Sequence, residues 1–114
     1  MALSRGRLTN QVVNVSTGTT VGIVTVANSK KIYVKSIVAH NTSGVTTARA
    51  HVYYVPNGDS ITDNTKIFNI AVDPFETVLI EPAYPIILTT TGDNISVGSS
   101  FNQINVIING DREV

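Results

Sequence analysis

Val, Ile and Thr supply 43 of the 114 residues, so more than a third of the chain branches at Cβ. Such side chains are stiff at χ1 and suit a pleated sheet better than a helix. Leu occurs 4 times and Met once, which leaves few strong helix formers. No window repeats its apolar residues at the three-and-four spacing of a helix face. The chain is therefore expected to be all β, with no substantial helix. Asn (11), Ser (9) and Gly (8) are spread along it and supply the turns that short strands need.

The strands can be read from their alternation and from the turns between them. Candidates are Leu8–Val15, Thr20–Ala27, Ile32–Ala39, Ala48–Val55, Lys66–Val72, Phe75–Glu81, Ile86–Thr90, Ile95–Gly98 and Phe101–Asn109. In the third, Ile32, Val34 and Val38 share one face with Ser36, while Tyr33, Lys35 and Ile37 share the other. In the fourth, Ala48, Ala50, Val52 and Tyr54 point inward, and Arg49, His51, Tyr53 and Val55 point outward. Pro56-Asn57-Gly58 is the strongest turn signal, because Pro presets φ and Gly accepts a positive φ. Pro82 and Pro85 confine their stretch to an edge or an irregular crossing. About eight or nine short strands at this spacing predict an antiparallel β-sandwich, jelly-roll-like in architecture.

One domain is expected over residues 8–110. Residues 1–7 read as a flexible N-terminal arm and 111–114 as a polar tail. The length suits a single ordinary core. There are no cysteines, so disulfides and thiolate metal sites are excluded. Eight basic and eight acidic side chains give a formal charge of zero. That balance argues against a nucleic-acid or membrane-surface binder held by electrostatics. No apolar run approaches the roughly 20 residues that cross a bilayer, and MALSRGRLTN lacks the apolar stretch of a signal peptide, so the protein is expected not to be secreted.

Catalytic chemistry finds little to use. His40 and His51 have no serine and acid at a recognisable spacing, and no pair of groups is placed to act as acid and base. Two isolated histidines make a poor zinc site. Asn57, Asp59 and Asp63 gather oxygen ligands around Gly58, a weak calcium candidate, but Ile61 stands where a further ligand would fall. No Gly-rich phosphate loop occurs. The triplets Asn14-Val15-Ser16, Asn41-Thr42-Ser43 and Asn94-Ile95-Ser96 fit glycosylation acceptors. No cofactor and no metal are expected. The remaining signal is apolar surface: Ile37, Val55 and Ile107 fall on faces read as outward, which suggests an oligomer contact.

Several stretches resemble a known group. They are Ile32-Tyr33-Val34-Lys35-Ser36-Ile37-Val38, Asn41-Thr42-Ser43-Gly44 and Val52-Tyr53-Tyr54-Val55-Pro56-Asn57-Gly58. Further along come Pro74-Phe75-Glu76-Thr77, Pro85-Ile86-Ile87-Leu88 and Gly92-Asp93-Asn94-Ile95. Together, over residues 30–98, they resemble small β-sandwich structural proteins of tailed bacteriophages. In that group a strand ending S-I precedes an N-T loop, and a G-D-x-I turn opens a later strand. The resemblance implies a virion component without catalytic residues, such as a capsid decoration (cement) protein that binds the outer shell and stabilises it. A tail, neck, fibre or knob accessory protein is the alternative, and a lectin-like glycan-binding module a further one. The implied partners are the major capsid protein or other virion proteins and further copies of the chain, as a trimer in first place or a dimer. The implied location is the virion, assembled in the host cytoplasm. On this reading Leu3, Arg5, Arg7 and Leu8 of the arm contact the shell.

Overall fold

The computed structural model describes residues 3–9, 12–16, 18–100 and 103–114. Among these there is no helix, as the scarcity of helix formers predicts. Ten strands form: β1 (Leu3–Arg7), β2 (Val13–Val15), β3 (Thr20–Thr25), β4 (Ile32–Asn41), β5 (Ala48–Val55), β6 (Lys66–Val72), β7 (Thr77–Ile80), β8 (Ile86–Leu88), β9 (Asn94–Ser99) and β10 (Ile104–Glu113). They build two antiparallel sheets. One has the order β1-β10-β4-β7, with β2 also on β10 and β8 also on β4. The other is β3-β9-β5-β6.

β1 and β2 lie end to end along β10, on residues 109–113 and 104–106. β7 and β8 lie end to end along β4 in the same way, on residues 37–40 and 32–34. Each pair is one interrupted strand. Counted so, the sandwich has eight strands in the orders first–eighth–third–sixth and second–seventh–fourth–fifth, the two-sheet jelly-roll arrangement. The interruption in the sixth strand is where Pro82 and Pro85 stand, residues that cannot donate to a ladder. The core lies between the sheets, with Ile32, Val34, Leu88, Ile104 and Ile108 from one and Val24, Val52, Val72 and Ile95 from the other.

A bulge corrects the expected facing of β4. Asn109 pairs with Ser36, but Gly110 pairs with Val34, so Lys35 is an extra residue on β4. An extra residue reverses the alternation beyond it. Ile32 and Val34 point inward before the bulge, and Ile37, Ala39 and Asn41 after it. Ile37 is 0% exposed and belongs to the core, not to an outward contact. Val55 is likewise 3% exposed. It closes β5 at a corner where the chain leaves through Pro56 and the Asn57 N–H bonds to Asp93 (2.9 Å). Ile107 is half-buried on the outer face of its sheet.

The chain ends also differ from expectation. Residues 3–7 form a strand on β10, although all five stay exposed. Residues 111–113 complete β10, and Asp111 is buried. Leu8 is buried too, its N–H bonded to Ile108 O at 2.8 Å, so it is core and not a shell contact. Parts of the candidate strands Leu8–Val15 and Phe101–Asn109, and residues 1–2 of the arm, lie outside the described residues.

Candidate interaction faces

Two carboxylates, Asp93 and Asp111, are built into the fold. Asp93 is buried at the start of β9. Its Oδ1 accepts the Asn57 N–H (2.9 Å) and its Oδ2 the N–H groups of Thr90 (2.9 Å) and Thr89 (3.3 Å). The Asn57 bond, then the Thr90 bond, holds this carboxyl below the ordinary range against the opposing effect of burial. Asp111 is held low chiefly by Lys35 Nζ at 2.8 Å, with Arg5 Nε at 3.6 Å. The histidines sit on different sheets. His40 Nδ1 shares a 2.9 Å hydrogen bond with Thr77 Oγ1. His51 is held below the usual imidazole range, first by burial and then by Lys66 and Arg49.

Two members of the weak calcium candidate make other contacts. Asp63 pairs with Lys66 at 3.2 Å, and the Asn57 side chain lies against Gly92. Among the described residues no three His, Asp or Glu side chains gather as metal ligands. Of the glycosylation triplets, Asn41 is 0% exposed, with its amide taken up inside the protein.

Three surfaces remain. The first is the outer face of the six-stranded sheet. Ile107 pairs with Val38, and Val38 with Leu79, so the three form one row across β10, β4 and β7. Val12 joins Val38, Ile107, His40, Thr77 and Asn105 around a shallow groove of about 260 Å³. No Lys, Arg, Asp or Glu lines it.

The second is a basic groove towards the other end of the same face. Gly6 lies opposite Gly110, and Arg5, Arg7, Lys35 and Asn109 surround them around a space of about 280 Å³. Lys35 reaches it because alternation from Ile32 and Val34 points its side chain outward, before the bulge reverses the facing.

The third is the tip formed by loop 42–47 and turn 73–76. Asn41 organises it. Its Nδ2 donates to Thr46 O (2.8 Å) and Val72 O (3.0 Å), and its Oδ1 accepts the Ser43 N–H (2.9 Å). Its own N–H donates to Glu76 O (3.0 Å), and the Phe75 N–H to Ser43 O (2.9 Å). Truncating a fully buried amide with three backbone partners is expected to cost about 2 kcal/mol. Asn41→Ala should therefore lower the urea midpoint by a matching amount at unchanged slope, and a wild-type midpoint would refute this role. On this frame Val45 is 88% exposed and Phe75 68%. The Phe75 ring lies over Gly44, where an added Cβ would come within 2.6 Å of Cε2. Sequence patterning missed this tip, because Phe75 reads as the first residue of a strand.

No family model and no curated protein matches the chain. Among solved structures it is similar to a chain in the crystal structure of the T13 particle of infectious bursal disease virus (IBDV). The TM-score is 0.55 at 10% identity, over 98% of this chain and 31% of that one. A chain from the structure of the Gx strain of that virus aligns over 97% of this chain and 30% of its own, at TM-score 0.43 and 11% identity. The chain thus spans about a third of these neighbours' length, and what it shares with the first is the fold, a β-sandwich found in a viral particle.

Proposed function

We propose that this chain is a non-enzymatic structural protein of a virus particle, a decoration protein that binds the outer surface of a capsid and stabilises the shell. The observation that carries this reading is the jelly-roll sandwich that runs through nearly the whole chain and is similar to part of an IBDV particle protein. The phage motifs of residues 30–98 support the tailed-phage setting. The uncharged row of Ile107, Val38 and Leu79, with Val12 beside it, is the surface we assign to the shell. Apolar burial stabilises such a contact at roughly 25 cal/mol per Å² before association costs.

Quantitative mass spectrometry of purified particles tests this. A decoration protein is expected at a copy number equal to, or a simple fraction of, that of the major shell protein. A copy number of a few per cent would replace this reading with a tail, neck or fibre position. Absence from particles would overturn the virion reading altogether.

A further inference from the structure

The tip and the basic groove, at opposite ends of the sandwich, carry opposite charge. The tip, residues 41–47 and 73–76, holds Asp73 and Glu76 and no Lys or Arg. Both carboxylates are exposed, and neither is in an ion pair among the described residues. Asp73 accepts a long bond of 3.4 Å from Thr47 Oγ1, and Glu76 one of 3.4 Å from the Asp73 N–H. At the other end, Arg5, Arg7 and Lys35 flank the Gly6–Gly110 floor. The carboxylate beside them, Asp111, is already engaged by Lys35 and Arg5. Three cations therefore share one acid, and Arg7 has no ion pair among the described residues.

Phe75 adds a second observation. Its φ is +58°, a left-handed conformation that a bulky residue adopts at a cost. Asn or Gly would hold the turn more easily. The strain instead holds a large, mostly exposed ring over Gly44, in the turn that carries both carboxylates.

We propose that the Asp73–Glu76 turn of one copy docks in the Arg5–Gly6–Arg7 groove of a second copy. Phe75 lies over the glycine floor, where no side chain blocks it. Asp73 and Glu76 meet the guanidinium groups, which can also stack on the ring. Exposed ion pairs add little affinity by themselves, so ring burial supplies the attraction and the charges set the orientation. The contact joins two different patches, so it closes as a ring, such as a trimer, or extends as a lattice. It holds whether or not a shell is present.

Sedimentation velocity on the full chain tests this. Wild type is expected to associate, less so at high salt. Phe75→Asn should weaken association by about tenfold or more, equivalent to about 1.4 kcal/mol, while its melting temperature holds or rises. The double variants Asp73→Lys/Glu76→Lys and Arg5→Glu/Arg7→Glu should each remain monomeric, because each makes tip and groove alike in sign. Mixed in equal amounts they should associate, because every tip then finds an oppositely charged groove. A wild type that stays monomeric at millimolar concentration, a Phe75→Asn variant that associates like wild type, or a mixture that stays monomeric would overturn the proposal. If a charge variant melts early, Phe75→Asn decides alone.

Discussion

Replacing Asp93 with alanine is expected to remove about 3–4 kcal/mol of stability, because three backbone N–H groups lose a charged acceptor at once. Those groups belong to Asn57, Thr89 and Thr90, so one carboxylate ties the turn after β5 to the turn before β9. Domains of this kind hold only about 5–15 kcal/mol in total, so the loss should be plain in a urea titration. Asp93→Asn should lose less, since one oxygen can still accept while the amide faces N–H groups. The pH dependence follows from the same bonds. The folded carboxyl titrates below its ordinary 3.8. Its contribution is thus complete above that value and is lost as pH falls through the folded pKa. Asp111, held low by Lys35, adds loss of the same sign. Acid titration of unfolding should show a steeper fall for wild type than for Asp93→Asn, and parallel curves would refute the role.

Much of this corner was legible beforehand. Pro56-Asn57-Gly58 and Gly92-Asp93-Asn94 read as turns, and Gly58 and Gly92 adopt positive φ in both. What was hidden is that Asp93 reaches across to the other turn, a pairing 36 residues apart. The strands were legible for a local reason too, since alternation and turn residues act over a few positions. Register is non-local. Nothing in Tyr33-Val34-Lys35-Ser36 marks Lys35 as an extra residue, because the bulge is defined by what β10 places opposite. The misreading of Ile37 followed from that. Leu3–Arg7 lacked core side chains and so read as an arm, yet backbone pairing to β10 needs none. The tip was hidden because Phe75 fits a strand by composition, and only its φ shows otherwise.

Gly110→Ala should be the other severe substitution, costing about 3 kcal/mol or more, at the upper end of what overpacking a fitted interior does. Gly110 sits where the bulge brings β10 and β4 together, and an added Cβ would fall well inside contact distance of the Tyr33 carbonyl oxygen. Backbone cannot swing aside as a side-chain end can, so the strands must part or the register must change. Leu8 Cδ1 lies 3.2 Å from the same point, which closes the other way out. The effect should reach beyond stability. The bulge sets the inward facing of Ile37 and Ala39, and Lys35 at the bulge binds Asp111 beside the basic groove. A destabilised Gly110→Ala protein should therefore also lose amide-exchange protection along β4 and β1 first, while β5 and β6 in the other sheet keep theirs longer. Gly6→Ala is the natural control. It lies directly opposite Gly110, and nothing stands within 4 Å of its added Cβ, although its φ of +144° still favours glycine. A milder loss there than at Gly110, despite the strain at Gly6 that Gly110 lacks, would assign the damage to the crowded bulge, and a loss at Gly110 no larger than at Gly6 would refute the crowding.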